Sequence, residues 1–358
     1  MSESTSVSTS KPLEYIQNLL MELLNTPSPT GDTTAIIGRL EREVSGMGLS
    51  YSKTRKGALV ISVPGKDDTH ARLLTAHVDT LGGMVKEILP TGRLRLTQIG
   101  GYAWNTVEGE YCQVHTQAGQ TISGTVILHN TSMHVNREVG TTERLQDNIE
   151  VVLDARANTK KETEELGVNV GDFVYYDSRA VQTPSGYIKS RHLDDKASVA
   201  ILFGLLTHIH EKGMTLPHTL HILVSTNEEV GIGGNSNIPA NTCEYLAVDM
   251  GAIGEGQATT ETCVSICAKD SSGPYHLGLR NRLVQLAEEE GLDYRVDVYP
   301  YYSSDASMAM RAGADVVHGL IGPGVANSHA YERTHVAALD NTLRLLIAYV
   351  QSPIQAEG

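Results

Sequence analysis

The chain is poor in cysteine, in basic residues and in long apolar runs. Its four cysteines, Cys112, Cys243, Cys263 and Cys267 among 358 residues, include no CxxC pair, which excludes a disulfide framework. They read as free thiols of a reducing compartment, so a cytoplasmic location is expected. Lys and Arg number 28 against 42 Asp and Glu, a net charge of −14. Such a surface repels phosphate backbones and anionic lipid, so neither nucleic acid nor a membrane is an expected partner. No apolar run approaches the roughly 20 residues that span a bilayer. The opening MSESTSVSTS lacks the basic and apolar regions of a secretory signal, and its Ser/Thr content predicts disorder over residues 1–10. There is no GxSxG elbow, no Walker A loop and no HExxH, which removes the serine-hydrolase, P-loop and zincin readings. Gly231-Ile232-Gly233-Gly234 lacks the GxGxxG spacing and follows two acids that would repel a pyrophosphate.

At roughly 100–200 residues per domain the length predicts about two domains. Leu13, Ile16, Leu19, Leu20, Leu23 and Leu24 follow helical spacing, and the Thr26–Gly31 stretch ends that helix. Ile36, Ile37, Leu40 and Val44 mark a second helix, followed by strands at Ala58–Val63 and Leu73–His77. From Met84 to about Lys189 the pattern changes to short β-runs, Arg93–Thr97, Tyr111–His115 and Thr121–Leu128, with one helix candidate at Thr159–Leu166. The α/β rhythm then returns: a helix at Asp195–Glu211, strands at Thr219–Ser225 and Tyr245–Val248, and helices at Tyr275–Glu290 and Asn341–Val350. This organisation is an α/β body, residues 1–83 and 188–358, carrying an inserted β-rich unit over 84–187.

The chemistry sits where apolar strands stop. His77 and Asp79 follow one, Glu228 and Glu229 another, and Asp249 a third; open α/β sheets form their sites at that edge. Asp194 precedes a helix, where the plain reading of a carboxylate is an N-cap. His329 lies ahead of the last helix. Taken singly, each has a structural reading, a satisfied core histidine or a solvated acid pair. Jointly, so many acids directed into one cleft are costly to bury unless cations neutralise them. Imidazole mixed with carboxylate suits Zn, Co or Mn, and a pair of such ions forms a hydrolytic clamp. In a Glu-Glu pair one member can bind metal while its neighbour stays free as a general base.

The series Ala76-His77-Val78-Asp79, Asp194-Asp195-Lys196, Glu228-Glu229-Val230-Gly231, Val248-Asp249 and His329, with Val170-Gly171-Asp172 and Ser304-Asp305-Ala306 between, resembles the dinuclear aminopeptidases of the glutamyl and tetrahedral (deblocking, CelM-like) aminopeptidase family from Leu13 onward. The resemblance implies a mixed-sheet metallopeptidase catalytic domain with an inserted small β-barrel-like dimerisation domain. It implies two divalent ions per chain, with His77 and Asp249 on one, Glu229 and His329 on the other, and Asp194 bridging. Glu228 would be the general base toward a metal-bridged hydroxide, and Asp79 would orient His77. Short peptides would be the substrates, and dimers, assembling into a dodecamer, the quaternary state. Two departures stand out: Asp195-Lys196 where Asp-Arg or Asn-Arg is usual, and Ser328-His329 where His-Ser is usual, which leaves His335 as the fallback ligand and Asn327 as a poor one. Tyr301, Tyr302 and Asp305 are candidate pocket residues. The alternative functions are an amidase or deacylase acting on an N-acetylated dipeptide of the osmoprotectant kind, and a shell-forming scaffold with a decayed site.

Overall fold

The computed structural model describes residues 11–354; the disorder expected at residues 1–10 lies outside them. The helices Lys11–Leu24 and Thr34–Gly46 bury the apolar faces read from the sequence. The helix Leu193–Lys212 is different, because Leu193 through Leu206 are all buried. A helix apolar on every side belongs in the middle of a core rather than on its surface. It packs on Lys11–Leu24 so closely that a Cβ added at Gly204 would lie 2.4 Å from Ile16 Cγ1.

These helices cover a mixed sheet of 13 strands. At its centre four strands run parallel in the order Leu216–Ser225, Gly65–His77, Thr242–Val248 and Val317–Ala326. Their register brings the carboxyl ends level, with Ser225 opposite His77 and Val248 opposite Ile321. At the other end of these strands Arg72 is clamped. Its Nε donates to Glu244 Oε2 at 2.7 Å and its Nη1 to the carbonyls of Tyr349 and Ser352. That ion pair is buried and ties the closing helix to the sheet.

Between residues 82 and 176 six strands close into a barrel, in the order Gly82–Ile88, Leu94–Ile99, Ile149–Leu153, Thr121–Leu128, Tyr111–His115 and Phe173–Tyr176. Alternation along Thr121–Leu128 sends Gly124, Val126 and Leu128 inward, the period-two pattern of a strand with one buried face. Val114, Val151 and Val174 complete a separate small core. The helix Lys160–Glu165 is capped by Thr159, which accepts from Glu162 N, and its buried Thr163 donates to Gly92 O at 2.8 Å. The chain then rejoins the large sheet through Val181–Gln182 and Tyr187–Ser190.

One expectation is corrected and three elements are added to those read from the sequence. The last helix begins at Val336, not Asn341, because His335 Nδ1 accepts from Ala337 N and caps it there. A short helix Asp305–Arg311, closed by a Ser304–Ser307 capping box, has no apolar period long enough to show in the sequence. The barrel also contains the strands Ile149–Leu153 and Phe173–Tyr176, which are too short to stand out among Gly and Asp. Among the described residues no helix is long and apolar enough to cross a membrane.

Candidate active site

Three parallel strands deliver their next residues to one edge. His77 ends its strand, Asp249 follows Val248, and Glu228 and Glu229 sit on a single turn just beyond Ser225. Asp194 and Asp195 arrive from the start of the buried helix, joined by a cis peptide bond. Asp194 caps nothing: its φ and ψ are non-helical and the helix start has no side-chain cap. Its carboxylate instead points to the strand edge. One atom from each of His77, Asp194 and Glu229 lies within 4.8 Å of the others, and the same holds for His77, Asp195 and Asp249.

The two histidines are mounted alike. His77 Nδ1 lies 2.9 Å from the carbonyl of Asp79, and His329 Nδ1 lies 2.5 Å from the carbonyl of Gly101. A carbonyl only accepts, so each Nδ1 donates and each Nε2 is left with a lone pair. His77 Nε2 faces Asp194 Oδ1 at 3.1 Å, and His329 Nε2 faces Asp194 Oδ2 at 3.4 Å and Glu229 Oε2 at 3.6 Å. Asp194 therefore offers one oxygen to each ring. Lone pair against lone pair at that range repels unless a proton or a cation lies between.

The titration behaviour of these groups records the same crowding. Burial pushes Asp249 up to about 7 and Glu229 up to about 8, and the Asp194 charge adds to both. Burial likewise holds Glu228 and Asp195 well above the carboxylate range. Burial pulls His329 down, but its bond to Asp194 together with the Glu229 and Asp194 charges and the Gly101 carbonyl outweighs that and lifts it to about 10; His77 rises against its burial through Asp194, Asp79, Glu228 and Asp249 together. Asp194, raised by burial, is held far below its ordinary value by the two rings. Asp195 Oδ1 is buried with no hydrogen-bond partner among the described residues. An orphaned buried carboxylate oxygen beside six other anionic or imidazole groups fits a site for divalent cations.

Asp79 reaches His77 through its main-chain carbonyl; its carboxylate lies 3.6 Å from Nδ1. That carboxylate accepts from Thr30 Oγ1 at 2.6 Å and from the amides of Glu228 and Glu229 at 3.2 and 3.3 Å. It holds the Glu-Glu turn. The glycines after that turn are there for close packing: a Cβ at Gly234 would lie 2.1 Å from the Tyr245 hydroxyl and 2.8 Å from Asp305. Asp305 is thus no pocket residue. It is buried beneath the turn and accepts from Ser225 Oγ and the Gly234 amide, both at 2.5 Å. Tyr301 and Tyr302 do line the cleft above the cluster. His335 points away, with Nε2 on Ser185 O at 2.9 Å and Nδ1 on Ala337 N, and Asn327 Nδ2 donates to Tyr331 O.

Sequence reading missed Asp195, read only as the opening of a helix, and Glu332. Glu332 is buried and accepts from the amides of Asp194 and His329 at 3.1 and 3.2 Å, so it fixes the backbone under both. Its place three residues after His329 was the available signal. Lys196 was noted only as a departure; its buried ammonium donates to Thr26 O at 2.8 Å.

The M42 glutamyl aminopeptidase model matches residues 57–345. The chain belongs to that family. It is 55% identical over 336 residues to "Putative aminopeptidase YhfE" of Bacillus subtilis, covering 94% of this chain and 97% of that one. The glutamyl aminopeptidase of Lactococcus lactis is 26% identical over 215 residues, 56% of this chain and 59% of its own. Among solved structures, the TET aminopeptidase of a marine-sediment Thaumarchaeota archaeon superposes with TM-score 0.86 at 17% identity, covering 94% and 96% of the two chains. The Pyrococcus horikoshii TET1 peptidase, which can assemble into a tetrahedron or a large octahedral shell, gives 0.83 at 21% identity over 94% and 99%. The M42 protein described here is thus a peptidase hydrolase of the aminopeptidase type, on a mixed α/β sheet with a closed six-stranded barrel.

Proposed function

We propose that this chain is a dinuclear metallo-aminopeptidase that removes the N-terminal residue of short peptides. The observation that carries the reading is Asp194, whose two oxygens face two histidines of matched tautomer. His77 and Asp249 would hold one divalent cation, Glu229 and His329 the other, with Asp194 shared between them. Zinc or cobalt suits this oxygen-and-imidazole set, with manganese as the third choice. Such a pair, when bound, supplies Lewis acidity toward the scissile carbonyl and acidifies an attacking water.

The remaining chemistry belongs to the chain. Glu228 Oε2 lies 3.8 Å from His77 Nε2 on the same rim. It takes the proton of the attacking water and gives it to the leaving amine. Asp79 keeps that turn in place through both glutamate amides, and the acidic surroundings favour a substrate with a free ammonium over an N-acetylated one. The unit 84–187 serves self-association, as dimers and then a dodecamer; relatives that form shells support this reading. Four unpaired cysteines agree with a reducing cytoplasm.

The test is Glu228→Gln, with bound metal counted and leucyl-p-nitroanilide turnover measured. Retained metal with turnover down by at least about a thousandfold, in the range of a lost general base, is the expected result. Near wild-type turnover removes Glu228 from the mechanism, and faster release of the N-acetylated analogue than of the free amine turns the assignment to a deacylase.

A further inference from the structure

Resting on the aminopeptidase reading, we infer that the cleft accepts apolar and cationic N-terminal residues and rejects acidic ones, against the glutamyl designation of the family. The opening above the cluster has a volume of about 650 Å³. Its charged lining is Asp194, Glu228, Glu229, Asp249, Glu255 and His329, without a lysine or an arginine. His329 is already engaged by Gly101, Asp194 and Glu229. Two divalent cations would match the charge of the four lining carboxylates Asp194, Glu228, Glu229 and Asp249; Glu255 is exposed and makes no ion pair among the described residues. The guanidinium adjoining the site, Arg191, faces a crevice of only about 10 Å³ and is committed to Glu110 Oε1 at 2.9 Å.

The walls are of the opposite character. Met250, Ile253, Tyr299 and Tyr302 form an apolar and aromatic face, with Tyr301 fully exposed at the mouth. Tyr302 is held by its hydroxyl on Met250 O at 3.0 Å, so the face is built before a substrate arrives. A leucine or phenylalanine side chain buries apolar area there. A lysine lays its methylenes on the same face and brings its ammonium toward Glu255. A glutamate side chain would lose its hydration, find no lysine or arginine on the wall and meet the Glu255 charge. A site that leaves a buried charge unpartnered discriminates far more strongly than one that merely misfits a methylene.

The experiment compares kcat/KM for leucyl-, phenylalanyl-, lysyl- and glutamyl-p-nitroanilide with the metal-loaded full chain. These substrates carry no terminal carboxylate, so only the first side chain changes the charge. Leucyl, phenylalanyl and lysyl substrates are expected to exceed the glutamyl one by at least about a hundredfold. Glu255→Lys is expected to raise the glutamyl-to-leucyl ratio about tenfold, and Glu255→Gln by less, as repulsion is first removed and then inverted. A glutamyl rate equal to the leucyl rate overturns the inference and leaves the aminopeptidase reading intact, as does a ratio unmoved by Glu255→Lys. No turnover of any free-amine anilide, with metal bound, overturns both.

Discussion

The hydroxyl of Thr30 donates to Asp79 Oδ2 at 2.6 Å, in a position where neither is open to solvent. Pro29, the residue before Thr30, forms a short bridge with Thr80, the Thr30 amide donates to Thr80 O at 3.1 Å, and Asp79 in turn carries the amides of Glu228 and Glu229. The N-terminal loop therefore reaches the Glu228-Glu229 turn through one hydroxyl and one carboxylate. Thr30→Val keeps the shape and removes the donor. The expected result is a kcat lower by about tenfold with KM little changed, the signature of a lost positioning contact. Thr30→Ser should recover most of it. Wild-type kcat in the valine variant would show that Asp79 holds its place unaided.

Cation removal should be felt in stability, and more at high pH. Asp249 and Glu229 are raised to about 7 and about 8 in the metal-free fold, above their ordinary values near 4. Between about pH 4 and pH 8 the folded state thus binds more protons than the unfolded one, and its stability falls as pH rises. Asp194 acts in the opposite sense, but only at acid pH, below its ordinary range. Melting curves at pH 5 and pH 8, with chelator and with added zinc, measure this. The chelator penalty should be the larger at pH 8; an equal penalty at both would count against cations offsetting these charges.

His329 and His335 separate cleanly. His329→Ala should lower bound metal and cut turnover by at least about a hundredfold, the upper range for a weakened metal site. His335→Ala removes a helix cap and should cost about 1 kcal/mol of stability with metal content unchanged. Metal counting and denaturant unfolding on both variants settle the pair. A metal deficit in the His335 variant alone would reverse the assignment.

Arg72→Ala leaves Glu244 buried without its cation and frees the carbonyls of Tyr349 and Ser352. The expected loss is about 3–5 kcal/mol, the usual cost of breaking a buried pair from one side. Urea unfolding monitored by circular dichroism reads it. A loss below about 1 kcal/mol, the range of an exposed pair, would show that the C-terminal helix docks without the clamp.

Much of the site was legible because strand ends are legible. His77, Asp249 and the Glu228-Glu229 pair each follow an apolar run, and the parallel sheet aligns those runs. Asp194 joins the cluster, yet its local pattern reads as a cap, since helix propensity says nothing of a carboxylate turned back toward a sheet. Asp195 and Glu332 stayed hidden because their partners, His77 N and the amides of Asp194 and His329, lie far off in sequence or on the backbone. A side-chain pattern carries no trace of a main-chain donor. In the same way Asp305 looked like a pocket residue until its three donors, Thr75, Ser225 and Gly234, were placed around it.

The barrel begins at Gly82, three residues after Asp79, and the chain returns to the sheet at Val181, by way of Ser178, whose carbonyl accepts at 2.9 Å from the amide of Arg191, three residues before Asp194. Both covalent crossings between the two bodies thus run beside the candidate site. Whatever grips the barrel from outside pulls on the chain near His77 and Asp194, which makes the crossings a mechanical lever arm from a remote surface to the candidate site.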